Sequence, residues 1–150
     1  MTDWDHVVQR HGPFVYTTAW RILGDADQAE DVVEEVFRLA RGADRARRLR
    51  AWGPVLRHLA AVRSLDRLRR GRQQGFQQPA ETDEPTSQFR QALADLPCRE
   101  AAVFSLRYFG DLTHEQIAEA CQLTLVAVAG ALHDARALLE SLLVAAVPEG

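Results

Sequence analysis

Eleven arginines stand between residues 41 and 72 against two aspartates, a net charge of +9 in 32 residues. Guanidinium groups at this density suit a polyanion, because each phosphate they neutralise releases condensed counterions. Arg57, His58, Arg63, Arg67, Arg69, Arg70 and Arg72 lie off the apolar stripe of one helical stretch and are candidate nucleic-acid contacts. Trp52, at the start of that stretch, can stack on a base or pack inward. Immediately upstream the sign reverses. Residues 1–40 hold three arginines and eight acids, net −5, and Glu30, Asp31, Glu34 and Glu35 share one helical face with Arg38. That face suits a basic protein partner. Residues 89–147 hold four arginines and seven acids, net −3. Segregated charge of this kind points to partners, and the acidic third block can also dock on the basic one and mask it.

The elements that must position these groups are all helical. The chain of 150 residues is 47% hydrophobic and 26% charged, enough for one domain or two small ones. Apolar residues recur with helical spacing throughout, and strand signals are scarce. One helix is expected to end near His11 and a second to begin at Pro13 and run to Leu23. A third spans Ala26 to Arg41, capped by Asp25 or Asp27 and ended by Gly42. A fourth begins at "WGP" and reaches about Arg72, burying Val55, Leu56, Leu59, Val62, Leu65 and Leu68. The stretch 74–88, rich in Gln, Pro and acids around Phe76, reads as a tether. Beyond it lie helices over Phe89–Leu96, Pro97–Phe109, Thr113–Ala120 and Thr124–Val147. The expected architecture is all-α: a bundle over 1–73, a flexible linker over 74–88, and a second bundle over 89–147 that ends in a helix-turn-helix.

The last of these elements poses a problem. Its second helix reads "TLVAVAGALHDAR", with Ala129, Gly130, Ala131 and Asp134 taken as outward positions. A helix meant for a DNA groove is nearly empty of basic side chains. Thr124, His133 and Arg136 are the remaining candidates for DNA contact. Leu112, Ile117, Ala118, Leu123, Val128, Leu132, Ala135 and Leu139 keep core spacing, so the scaffold is kept while the groove-facing chemistry is removed.

These motifs resemble a bacterial RNA polymerase sigma factor of the sigma-70 family, extracytoplasmic-function type, over nearly the whole chain. "HGPFVYTTAWRILGDADQAEDVVEEVF" is similar to the family's first helices and "RAW…LRHLAAVRSLDRLRR" to its promoter-melting helix. "LADLPCREAAVFSLRYFGDLTHEQIAEACQLT" is similar to its promoter −35 domain. The resemblance implies that residues 1–73 dock on the β′ coiled coil of core RNA polymerase through Glu30, Asp31, Glu34, Glu35 and Arg38. It implies that they also read and melt the −10 element through Trp52, Arg57, His58, Arg63, Arg67 and Arg70. The connection from Arg41 to Ala51 corresponds to the loop that captures a flipped base, whose unstacking its pocket must offset. The second domain is implied to sit on the β flap, with Arg107, Tyr108 and Phe109 in "SLRYFGDLTHEQ" as a grip, and to read the −35 element. Many members are held off by an anti-sigma protein.

The chain departs from the pattern in three places. Glu34 stands where the family usually has Gln. Trp52 and Asp66 are fourteen positions apart, longer than the common spacing. The basic residues usual in the reading helix are replaced at Ala129, Ala131 and Asp134. Promoter choice is therefore expected to rest mainly on the −10 domain. The alternatives are a C-terminal domain that binds a protein through Leu125, Val126, Ala129 and Leu132, and a DNA-binding regulator that does not join polymerase.

No paired carboxylates, phosphate loop or Ser/His/Asp set suggests catalysis, and His6, His11, His58, His114 and His133 are scattered. Cys98 and Cys121 read as ordinary thiols. Neither cofactor nor metal is expected. No run of about 18 apolar residues suggests a membrane span, and the acidic start "MTDWDHVVQR" is unlike a secretory signal, so a cytoplasmic protein is expected.

Overall fold

Asp3 opens the first helix by accepting the His6 backbone N–H at 3.3 Å, and Gly24 closes it in the left-handed conformation at φ 69°. Between them runs a single helix, α1 (Trp4–Leu23). The computed structural model describes residues 3–46, 52–73 and 84–146, and all seven of its elements are α-helices. The break expected at Gly12–Pro13 does not occur. A mid-helix proline removes one hydrogen bond and costs about 3 kcal/mol. Val7 and Val15 on either side of it are both buried, so tertiary packing holds the helix continuous.

Asp25 starts α2 (Ala26–Ala46) by accepting the Gln28 N–H at 3.1 Å. This helix does not stop at Gly42. The glycine costs it only about 1 kcal/mol relative to alanine, and α2 continues to Ala46. Its stripe Ala29, Val32, Val36, Phe37 and Ala40 packs toward α1 and toward α3 (Trp52–Gln73).

The second helical group is α4 (Glu84–Asp95), α5 (Cys98–Tyr108), α6 (His114–Cys121) and α7 (Leu125–Ala146). Helix α4 begins at Glu84, so residues 84–88, read from sequence as tether, are helical. Thr113 and Gln116 form a reciprocal capping box at the start of α6, with N···O distances of 2.9 and 3.1 Å. Gln122 then takes the left-handed conformation at φ 57° that the turn needs, and Thr124 accepts the Ala127 N–H at 3.1 Å to open α7. A glutamine in this position is strained relative to glycine, and the capping on both sides of it holds the turn.

The two groups share one continuous cluster of buried apolar side chains. Helix α3 lies at its centre. It touches α1 and α2 on one side and α4, α5 and α6 on the other. The buried stripe expected for α3 is therefore too narrow. Leu56, Leu65 and Leu68 are buried as expected, but Ala60, Ala61 and Ser64 are buried with them, while Val55, Leu59 and Val62 are half-buried. A helix covered from two sides has no single apolar face.

Candidate polymerase and nucleic-acid interfaces

The acidic face of α2 divides into two parts. Glu30, Asp31, Glu34 and Arg38 are exposed. Glu35, expected beside them, turns toward α3. Its carboxylate lies 3.5 Å from Arg63 Nε and 3.4 Å from Arg67 Nη2, while Asp31 lies 3.8 Å from Arg67 Nη1. Beside the exposed acids, α1 and α2 form an elongated depression. One end is a cleft of about 560 Å³ lined by Val8, Val33, Glu34, Phe37, Arg38 and Arg41, among others. The adjoining cleft brings Pro13, Tyr16 and Glu30 to the same Val33 and Glu34. The floor is apolar, and the rim is acidic at the Glu30–Glu34 end and basic at the Arg38–Arg41 end, which fits a helical partner that carries side chains of both signs.

The candidate DNA contacts of α3 are largely engaged within the molecule. Arg63 and Arg67 pair with the α2 acids, and Arg63 also lies 4.0 Å from Asp66. The Arg57 guanidinium sits 4.7 Å over the Phe14 ring, and burial lowers its pKa. Burial also pushes the His58 imidazole below its ordinary value, opposed by a backbone hydrogen bond with Ala120 of α6. Arg69, read as a phosphate contact, instead donates to the Ala94 and Leu96 carbonyls at 3.2 and 2.9 Å. Arg70 is exposed. Trp52 packs edge-on against Trp4 with ring centroids 4.9 Å apart, and Arg41 lies 5.7 Å from the Trp4 ring, so its indole is half-buried at the start of α3. Residues 47–51 of the expected base-capturing loop, and the Arg72 side chain, lie outside what the structure describes.

On α7, one of the positions taken as outward is core: Ala131 is 3% exposed. Leu132 is 2% exposed, as its core spacing predicts, so it cannot belong to the protein-binding surface of the alternative reading. The surface that remains is Leu125, Val126 at 83% exposure, Ala129, Gly130, His133 and Asp134. Arg136 is occupied by Tyr108: it hydrogen-bonds the phenol oxygen and lies 5.4 Å from the ring centroid. Of the expected polymerase grip, Phe109 packs edge-on against Phe104 and Phe89, whereas Arg107 and Tyr108 are exposed.

Sequence reasoning missed Arg21 and Arg90. Arg21 of α1 donates to the Phe109 carbonyl at 3.0 Å and pairs with Asp111 at 3.1 Å. Arg90 of α4 is buried and donates to the Ile22 carbonyl at 3.0 Å. The one sequence signal was an arginine set within the apolar spacing of α4.

The model for sigma-70 region 2 matches residues 7–74, and that for sigma-70 region 4 matches residues 86–139. The chain belongs to the sigma-70 family. Regions 2 and 4 follow one another in the arrangement of its extracytoplasmic-function type. Among solved structures it is similar to CnrH in complex with the cytosolic domain of CnrY. That match has 23% identity and a TM-score of 0.65 over 95% of this chain and 88% of that one. It is also similar to the sigma factor RpoE in complex with the anti-sigma factor NepR from Bartonella quintana. Here identity is 18% and the TM-score 0.61, over 95% of this chain and 98% of that one. At these identities the likeness is one of fold. Comparison with curated protein sequences gives no match. The protein is a sigma factor, of a family that is not catalytic and that works with core RNA polymerase and promoter DNA. Among the described residues no helix is long and apolar enough to cross a membrane.

Proposed function

We propose that this sigma factor docks on the β′ coiled coil of core RNA polymerase through the α1–α2 face, with Glu30, Asp31 and Glu34 as its charged contacts. It then directs initiation mainly through −10 recognition and melting by α3. The observation that carries this reading is the contrast between the two DNA-facing elements. Helix α3 has the arginines and the adjoining Trp52, while the exposed surface of α7 offers Leu125, Val126, Ala129 and Gly130 and keeps Arg136 on Tyr108. Each missing arginine removes about one unit of salt slope from DNA binding, so α7 contributes little affinity of its own. Region 4 then serves mainly to hold polymerase at the β flap, with Arg107 and Tyr108 available for contact.

The test is run-off transcription by core polymerase and this protein on promoter fragments whose upstream element is intact or scrambled. Initiation that ignores the scrambling is the expected result. Dependence on the upstream element would refute the reading.

A second reading rests on Val126, whose exposure on an uncharged helix start is unusual for a groove-reading surface. Helix α7 would then bind a protein, an anti-sigma factor or an activator. Core binding without transcription would favour it.

A further inference from the structure

The outer face of α2 is bipolar. Glu30, Val33, Glu34, Phe37, Arg38 and Arg41 recur at three- and four-residue intervals, so they lie along one side of the helix. At 1.5 Å per residue that side is about 16 Å long. Both acids stand toward its amino end and both arginines toward its carboxyl end. Val33, half-buried, and Phe37 beneath it form the apolar centre. Asp31 and Glu35 are paired with Arg63 and Arg67 of α3. Glu30, Glu34 and Arg38 are exposed and make no ion pair with another described residue.

A face ordered acid, acid, base, base is complementary to itself when turned end for end. A two-fold axis level with Val36 sets two copies of α2 antiparallel. Glu34 of each copy then stands opposite Arg38 of the other, and Glu30 opposite Arg41 to within one residue. Every contact occurs twice, as in any isologous interface, and Val33 meets its counterpart region in the middle. A parallel arrangement would set like charges against each other, which is costly. The surroundings leave room for the second helix. The depression between α1 and α2 runs along this face, and a Cβ added at Gly12 or Gly42, the glycines that line its two clefts, meets no neighbouring atom within 4 Å.

We propose that this face also binds a second copy of the chain, forming a weak antiparallel homodimer seamed by α2. The charge order alone carries the dimer. Its consequence for transcription rests on the docking face proposed above: the dimer covers Glu30 and Glu34, so self-association and polymerase binding exclude each other. Apparent affinity for polymerase then falls with the fraction of chain that is monomeric. A seam of one short helix buries an area at the low end for protein interfaces, below about 1,200 Å², and the dissociation constant is expected to be on the order of 10–100 μM.

The test is sedimentation equilibrium of the full chain over roughly 5–500 μM, a range that brackets such a constant. The variants are Glu34→Arg, Arg38→Glu and Glu34→Arg/Arg38→Glu, all at exposed positions, with circular dichroism to check that each is folded. Glu34→Arg sets arginine against arginine and Arg38→Glu sets acid against acid, so each alone is expected to weaken self-association at least about tenfold. An equimolar mixture of these two is expected to dimerise, because positions 34 and 38 then meet with opposite charge. The double variant restores the same complementarity within one chain and is expected to return to within about threefold of wild type. A wild-type chain that stays monomeric throughout overturns the proposal. So does a dimer that either single variant leaves intact, or a double variant that fails to recover it. No polymerase is present in these measurements, so their failure leaves the docking reading standing. A dimer that core polymerase does not dissociate keeps the proposal and counts against the docking face instead.

Discussion

Glu35 and Glu30 stand five residues apart on α2 and have the same charge, yet they should fail differently when neutralised. Glu35→Gln removes the carboxylate that faces both Arg63 at 3.5 Å and Arg67 at 3.4 Å. The side chains in this network are between a fifth and a third exposed. Exposed ion pairs contribute about 0–1 kcal/mol, and hydrogen bonds to charged groups about 1.5–3 kcal/mol when well formed. The distances here are long, so each of the two contacts is placed near the lower figure. Loss of both, with Arg63 and Arg67 left to the more distant Asp66 and Asp31, should cost about 1–2 kcal/mol. For a chain of this length that is a fall in Tm of roughly 3–8 °C. Glu30→Gln lies on the exposed face and should change stability by no more than about 0.5 kcal/mol, while weakening the association with core polymerase. The assay is thermal unfolding of both variants by circular dichroism, paired with core-polymerase binding by anisotropy. Equal Tm values for the two variants would refute the assignment of Glu35 to an internal network. So would a Glu35→Gln protein that is as stable as wild type and impaired only in polymerase binding.

Three further outcomes follow from particular contacts. Ala129→Arg restores a cation to the exposed face of α7, and should steepen the dependence of log K on log salt by about 0.9 for upstream promoter DNA; an unchanged slope would show that α7 does not lie against DNA. Gly24→Ala forces a side chain into a left-handed residue and onto the Arg90 guanidinium, so unfolding should shift to lower denaturant by the equivalent of about 1–2 kcal/mol. The same substitution at Gly42, where a Cβ meets nothing within 4 Å, should be neutral or stabilising. Finally, His58 and His11 are both held below the ordinary histidine value of 6.5, His58 by burial and His11 by burial and then Arg10. A depressed value means that the unfolded chain binds more protons than the folded one below that pH. Stability should therefore be full above about 6.5 and decline as the pH falls toward 5, and His58→Gln should flatten that decline in a series of urea titrations.

Much of the helical content was legible because it is local. Apolar spacing, Asp25 as a cap, and Thr113 with Gln116 three residues on are all short-range signals, and the structure uses them. The errors came where a local signal met a tertiary one. Gly12–Pro13 and Gly42 read as stops, but the core holds Val7 and Val15 in place on either side of the first, and the second costs α2 too little to end it. Ala131 read as surface, but it lies beside the core positions Val128, Leu132 and Ala135 and is buried with them. The interface of the two helical groups was legible only as opposite net charges. What actually joins them is not chiefly acid against base. Arg90 reaches a carbonyl 68 residues away, Arg21 one 88 residues away, and Arg69 one 27 residues away. A backbone carbonyl carries no mark in the sequence, since every residue has one; only the ends of helices leave it unpaired. Counting arginines therefore overstated the cations that α3 leaves available to a partner in this form. The available guanidinium groups are those left over once the acids of α2 and the carboxyl ends of neighbouring helices have been served. Among the described candidates on α3, Arg70 is the one the structure leaves exposed.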